Sequence, residues 1–169
     1  MVNTVLTMLQ RVLDLIRLDF APGHGQPSGG RLVLATVVSL VGSLLADALL
    51  VVIAQAVAPS TKGYAHFQFG DYCKLTVIGV IIACVAWPIT TRITSQPRWM
   101  FFRMAILVTL VLWLPDIYIL VNGQPAKAVG FLFAMHLAIA LLTYNALVRL
   151  APVRVPDRSA RHRMQPARP

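Results

Sequence analysis

The segment that decides the fold runs from residue 32 to residue 58 and reads LVLATVVSLVGSLLADALLVVIAQAVA. Its 27 residues contain a single charged side chain, Asp47. About 20 apolar residues in a helix, each rising about 1.5 Å, match the roughly 30 Å hydrocarbon core of a bilayer. Since a backbone in lipid must satisfy its own hydrogen bonds, the segment is predicted to be a transmembrane helix.

Three further apolar segments, 73–92, 100–121 and 128–149, have the same character. Across all 169 residues, 57% are hydrophobic and 12% are charged, which is about half the charge of a typical soluble domain. We therefore expect an all-α integral membrane protein with a four-helix bundle over residues 31–150.

The predicted bundle carries an extension on each side. Residues 1–20 repeat apolar side chains every three or four positions, which predicts an amphipathic interfacial helix on the membrane, on a partner or on its own bundle. Residues 21–30, APGHGQPSGG, predict a Gly/Pro linker. Residues 151–169 hold four prolines, five arginines and one acid, which predicts a disordered tail. The arginines expected to contact anionic lipid headgroups or a partner are Arg154, Arg158, Arg161, Arg163 and Arg168.

The basic residues predict the orientation of the chain. All twelve arginines lie in residues 1–31, 92–103 or 149–168. The lysines on the other side of the predicted bundle are Lys62, Lys74 and Lys127. Because basic residues are retained on the cytoplasmic side, both termini are expected to be cytoplasmic. The net charge of +9 is then an orientation signal, and no nucleic-acid partner is expected.

Three of the predicted helices each carry one ionisable group on a polar face inside the membrane. In each case a hydroxyl shares the same helical face, four or seven residues away. The pairs are Asp47 with Ser43, Asp116 with Thr109, and His136 with Thr143. An unpaired charge in hydrocarbon is costly, so we expect these groups to face the bundle interior. His136 is expected to pair with Asp47, with Asp116 or with both.

Two interpretations of this polar cluster stay open. A structural clamp between helices would fix their rotation and register and stabilise the bundle by about 0.6–2 kcal/mol. A functional site would be a proton relay or an ion or substrate site, for which intramembrane Asp and His are the usual parts. The sequence has no HxxxH, HExxH or clustered Cys and His pattern, so neither a metal nor a cofactor is expected.

Two prolines fall inside predicted helices. Pro88 and Pro115 each lack a backbone donor and are expected to kink their helices. Pro115 immediately precedes Asp116, so a loosened turn and a carboxylate coincide. The coincidence slightly favours the functional interpretation of that carboxylate.

Three motifs occur in a recognisable order: RITSQPRWMFF (92–102), LVLWLPDI (110–117) and AMHLAIALLTYN (134–145). Together they resemble a family of small four-helix actinobacterial membrane proteins of unknown function. The resemblance covers about residues 31–150, and Met135–His136 is its most recognisable part. It implies the four-helix fold and an actinobacterial plasma membrane, and it brings no activity with it.

These features favour a non-enzymatic accessory or scaffold subunit of a membrane complex. The alternative is a small proton-linked or ion transporter or channel subunit that uses the Asp–His constellation and forms a homo-oligomer. An enzyme is disfavoured, because the chain has no phosphate-cradling glycine loop, no acyl-transfer serine setting and no glutamate at all. The expected partners are the lipid bilayer, its anionic headgroups, and either another membrane protein or a second copy of the chain.

Overall fold

The structure is a computed structural model that describes residues 23–154. Within this range the chain is all-helical, with four long helices: α1 (Gly29–Val57), α2 (Phe69–Ile93), α3 (Pro97–Val121) and α4 (Ala126–Leu150). Each is long and apolar enough to cross a membrane. The prediction of an all-α fold with four helices able to span a membrane is confirmed to this extent. The predicted amphipathic helix, 1–20, and most of the predicted tail, 155–169, lie outside the described residues.

The helix ends follow from the local sequence and lie within four residues of the predicted limits. Pro97 occupies the first turn of α3, where its missing N–H has no helical partner to lose. Gly123 follows the end of α3 with φ +87°, a left-handed conformation that costs glycine little. Gly29 and Gly30, which the sequence assigned to the linker, form the first residues of α1.

The helices pack as antiparallel neighbours with two distinct ends. The largest interface joins α1 to α4, α3 packs next most extensively on α4, and α2 packs on α1. We call the end where α1 begins and α4 stops the terminal end; it also holds the α2–α3 connection. The opposite end, with residues 58–68 and 122–125, is called the loop end.

Two apolar clusters fill the interior, one near each end. The terminal cluster contains Ala35, Val80, Cys84, Trp87, Phe101, Leu147, Val148 and Ala151. The loop cluster contains Val51, Ala54, Phe67, Tyr72, Ala128, Leu132 and Met135. Trp87 is fully buried, and its indole N–H donates to the carbonyl oxygen of Ala151, 2.9 Å away. That bond joins α2 to the chain as it leaves α4.

The stretch before α1 is held at the terminal end. Gly25 and Arg154 exchange two backbone hydrogen bonds of 2.7 and 3.0 Å. Gln26 donates to the carbonyl oxygen of Thr91 at 3.3 Å and accepts from the Thr91 hydroxyl at 2.8 Å. These four residues are called the terminal clasp. Part of the stretch predicted as a linker is therefore bonded to α2 and to the exit of α4.

α3 contributes least to the interior. Four of its 25 residues are buried: Pro97, Phe101, Thr109 and Asp116. Large apolar side chains cover the rest of its surface, including Leu107, Leu114 and Val121, which are 62%, 60% and 80% exposed. α3 is thus a peripheral helix with an apolar outer surface.

Candidate functional site

The buried face of α1 carries three polar side chains at four-residue spacing. Ser39, Ser43 and Asp47 are all 0% exposed, so a row of oxygens faces the interior in the middle of the helix. The Ser39 hydroxyl donates to the carbonyl oxygen of Ala35 on its own helix, 2.8 Å away. Asp47 instead reaches across to α2, where its Oδ2 accepts a 2.6 Å hydrogen bond from the hydroxyl of Thr76.

A second polar contact joins Asp116 of α3 to His136 of α4. Oδ2 of Asp116 lies 3.0 Å from Nδ1 of His136, and the two side chains are 9% and 23% exposed. The two atoms are not aligned as a hydrogen bond, and neither has another hydrogen-bond partner among the described residues. It attaches the peripheral helix to the bundle near the loop end.

The structure shows which of the two carboxylates contacts His136. His136 lies against Asp116, while the hydrogen bond of Asp47 is to Thr76. Of the carboxylates weighed as partners of His136, Asp116 is the one that contacts its ring among the described residues. The two carboxylates thus belong to separate contacts, one between α3 and α4 and one between α1 and α2.

Thr76 is a site residue that the sequence reasoning missed. It lies on the buried face of α2 with Tyr72 and Val80, four residues to either side. That periodicity is visible in the sequence, but threonines in helices commonly bond to a carbonyl of their own helix, as Thr90 does to Ala86. Nothing in the sequence distinguishes a threonine that instead bonds across to a carboxylate.

The three predicted hydroxyl neighbours behave differently from one another. Thr109 donates to the carbonyl oxygen of Ala105 on its own helix at 2.8 Å. The hydroxyls of Ser43 and Thr143 are buried and have no hydrogen-bond partner among the described residues. The six predicted residues therefore do not form one continuous hydrogen-bonded cluster within the described part of the chain.

Tyr64, in the connection between α1 and α2, also turns toward the interior. Its hydroxyl is buried without a described partner, and its ring contacts those of His66 and Phe67 at centroid distances of 5.3 and 5.2 Å. Burial, and after it the negative charge of Asp116, raises the pKa of Tyr64. Tyr64 also packs against the loop cluster.

Both prolines lie inside continuous helices, Pro88 in α2 and Pro115 in α3. The Pro88 carbonyl oxygen lies 2.8 Å from the Thr91 hydroxyl and shares its single hydrogen with Gln26 of the terminal clasp. Pro115 lies one residue before buried Asp116, as the sequence states, while its own side chain is exposed.

The remaining predicted site residues are the arginines of the tail. Arg154 lies in the terminal clasp through its backbone, and its side chain is exposed. Arg158, Arg161, Arg163 and Arg168 lie outside the described residues. Over residues 23–154, no three His, Cys, Asp or Glu side chains are close enough to share a metal ion.

Comparison with known proteins adds no relative: no family model, curated protein or solved structure matches the chain.

Proposed function

We propose that this multi-pass protein is a non-enzymatic accessory or scaffold subunit of a complex in a bacterial plasma membrane. The observation that carries the proposal is the outer surface of α3. With only four buried residues out of 25, this helix leaves most of its circumference unused by its own bundle. Helix association in membranes is driven by packing between side chains, so that surface is available to another transmembrane helix.

Five exposed residues on α3 repeat at alternating spacings of four and three. This set, called the α3 stripe, consists of Leu107, Val111, Leu114, Tyr118 and Val121, which are 52–80% exposed. Such alternation keeps side chains on one seam of a helix, where they can interdigitate with a second helix. We infer that the α3 stripe contacts a helix of a partner membrane protein.

Two inward attachments hold α3 in a fixed rotation. Near the terminal end, the ring of Phe101 contacts those of Trp87 and Tyr144 at centroid distances of 5.1 and 6.0 Å. Near the loop end, Asp116 contacts His136. Because these attachments lie on the inner side of α3, they keep the stripe directed outward. In this proposal, the polar contact acts as a structural clamp.

The charge of the terminal end supports a cytoplasmic orientation for both termini. Six arginines lie there, and no acid among the described residues accompanies them: Arg31, Arg92, Arg98, Arg103, Arg149 and Arg154. The guanidinium of Arg103 lies 3.9 Å from the centroid of the Trp99 ring, an arrangement suited to the membrane interface. We expect this end to contact anionic headgroups.

Photocrosslinking in the native membrane tests the proposal. A photoreactive amino acid placed at Leu114 samples the α3 stripe, and the same residue at Leu49 samples α1. The two positions are matched, since both leucines are 60% exposed. The proposal predicts a discrete protein adduct from position 114 and none from position 49, with the same partner found after gentle detergent extraction.

Two results would contradict the accessory function. Lipid adducts alone at both positions would show that α3 faces only the bilayer. An adduct at position 114 with the mass of two copies of this chain, in a particle with no other protein, would show a homo-oligomer instead.

A further inference from the structure

Asp47 lies inside the bundle, between the two apolar clusters. The residue is 0% exposed, and its Oδ2 accepts the hydrogen bond from Thr76. Its Oδ1 is also buried and has no hydrogen-bond partner among the described residues. One oxygen of an intramembrane carboxylate is thus satisfied by the protein and the other is not.

A hydroxyl in the same situation lies beside it. Ser43 is one helical turn from Asp47 on the same face of α1, a spacing that brings side chains within about 6 Å. Ser43 is 0% exposed, and its hydroxyl has no hydrogen-bond partner among the described residues.

Asp47 and its neighbouring hydroxyls would form a site made of oxygen atoms with one negative charge. A carboxylate and hydroxyls suit hard cations, whereas they offer nothing to soft metals. An ionised carboxylate buried in hydrocarbon needs compensation, and one hydroxyl donor supplies only part of it. A single positive charge would balance Asp47, while a divalent ion would leave an excess charge in the membrane.

We propose that Asp47, with the hydroxyl oxygens of Ser43 and Thr76, binds one exchangeable monovalent cation, a proton or a sodium ion, inside the bundle. The Thr76 hydroxyl donates its hydrogen to Oδ2 and keeps its oxygen lone pairs for a ligand. The site is separate from the Asp116–His136 contact, and it does not depend on the accessory function proposed above.

Few other groups on the buried or half-buried parts of the surrounding helices can titrate. They are Asp71, Tyr72, Cys73 and Cys84 on α2, Asp116 on α3, and His136 and Tyr144 on α4. His136 and Asp116 lie against each other, and Tyr72 interacts electrostatically with Asp47. A pH response assigned to Asp47 must therefore disappear in Asp47→Asn and persist in Asp116→Asn.

Carbodiimide labelling of the full chain in detergent tests the site. Dicyclohexylcarbodiimide adds to a protonated carboxyl in an apolar setting, with no atom lost, so peptide mass spectrometry detects one added reagent at Asp47. Labelling is followed across pH in sodium chloride and in choline chloride of equal ionic strength. We expect it to fall by about tenfold for each pH unit above the midpoint.

The two salts distinguish the cations. Suppression by sodium but not by choline identifies a sodium site, and identical curves in both salts identify a proton site. The Ser43 hydroxyl is tested with Ser43→Ala, against Ser39→Ala as the matched control. Ser39 lies one turn further along the same face, but its hydroxyl is bonded to its own helix. We expect Ser43→Ala to shift the midpoint or the sodium response, and the control to leave both unchanged.

Melting temperature supplies a second readout in case the reagent does not reach Asp47. The wild type should respond to pH or sodium in a way that Asp47→Asn does not. Three results overturn the proposal: labelling of Asp47 that is constant across pH and salt, a Ser43→Ala curve that coincides with the Ser39→Ala curve, or no labelling together with identical melting responses in wild type and Asp47→Asn.

Discussion

The contact between Asp116 and His136 should contribute a measurable coupling energy between α3 and α4. We consider the replacements Asp116→Asn and His136→Gln, singly and together. At 3.0 Å and an effective dielectric constant of about 20, the gross Coulomb attraction of a charged pair is about 5 kcal/mol. Desolvation of both groups offsets most of it. About 1 kcal/mol remains, in line with the roughly 0.6–1.7 kcal/mol measured for polar pairs between membrane helices.

Each single replacement is expected to lower the free energy of unfolding by about 1–2 kcal/mol, because it leaves the other polar group without its counter-charge. The double variant should lose about 1 kcal/mol less than the sum of the two. Reversible unfolding in mixed micelles, followed by circular dichroism, measures these energies. Thr109→Val combined with His136→Gln is the control, since the Thr109 hydroxyl is bonded within its own helix. Additivity of the Asp116 and His136 variants to within about 0.3 kcal/mol would refute the clamp.

Four further changes have defined outcomes. Thr76→Val should cost about 1–3 kcal/mol in the same unfolding assay, since it removes the only described donor to Asp47; a neutral effect would show that the bond is not needed. Trp87→Phe should cost about 1 kcal/mol by loss of its bond to the chain after α4, and a change below about 0.3 kcal/mol would contradict it. Gly123→Ala should lower stability by about 1–2 kcal/mol through backbone strain alone, because φ is +87° and nothing lies within 4 Å of the added methyl group. The raised pKa of Tyr64 means that the unfolded chain releases this proton first, so stability should fall as pH rises through about 10. Tyr64→Phe should flatten that fall, and an unchanged pH profile would place the effect elsewhere.

The helices could be predicted from sequence because the length and apolar composition of each segment indicate a membrane helix without reference to the rest of the chain. A run such as 32–58 must be helical in lipid whatever its neighbours are, so length and composition suffice. The limits at Pro97 and Gly123 follow from local backbone chemistry as well. The burial of Asp47 and Asp116 follows from the cost of charge in hydrocarbon.

The partners of those carboxylates could not be predicted in the same way. They depend on how each helix is rotated and on which helices touch, and α1 packs mainly on α4 while Asp47 reaches α2. Two side chains at a similar depth in the membrane meet only if their helices turn those faces toward each other. Depth therefore does not decide whether Asp47 or Asp116 is the partner of His136. The backbone pairing of Gly25 with Arg154 joins residues that are far apart in sequence, and no local pattern indicates it.

The terminal clasp has a consequence for how the two ends of the chain can act together. Residues 1–22 and 155–169 depart from points joined by hydrogen bonds of 2.7 and 3.0 Å between Gly25 and Arg154. The two extensions therefore leave the bundle side by side, because the clasp adds to the α1–α4 interface at the same end. Two weak contacts to one target, one from each extension, would then reinforce each other through a raised effective concentration, without any new contact.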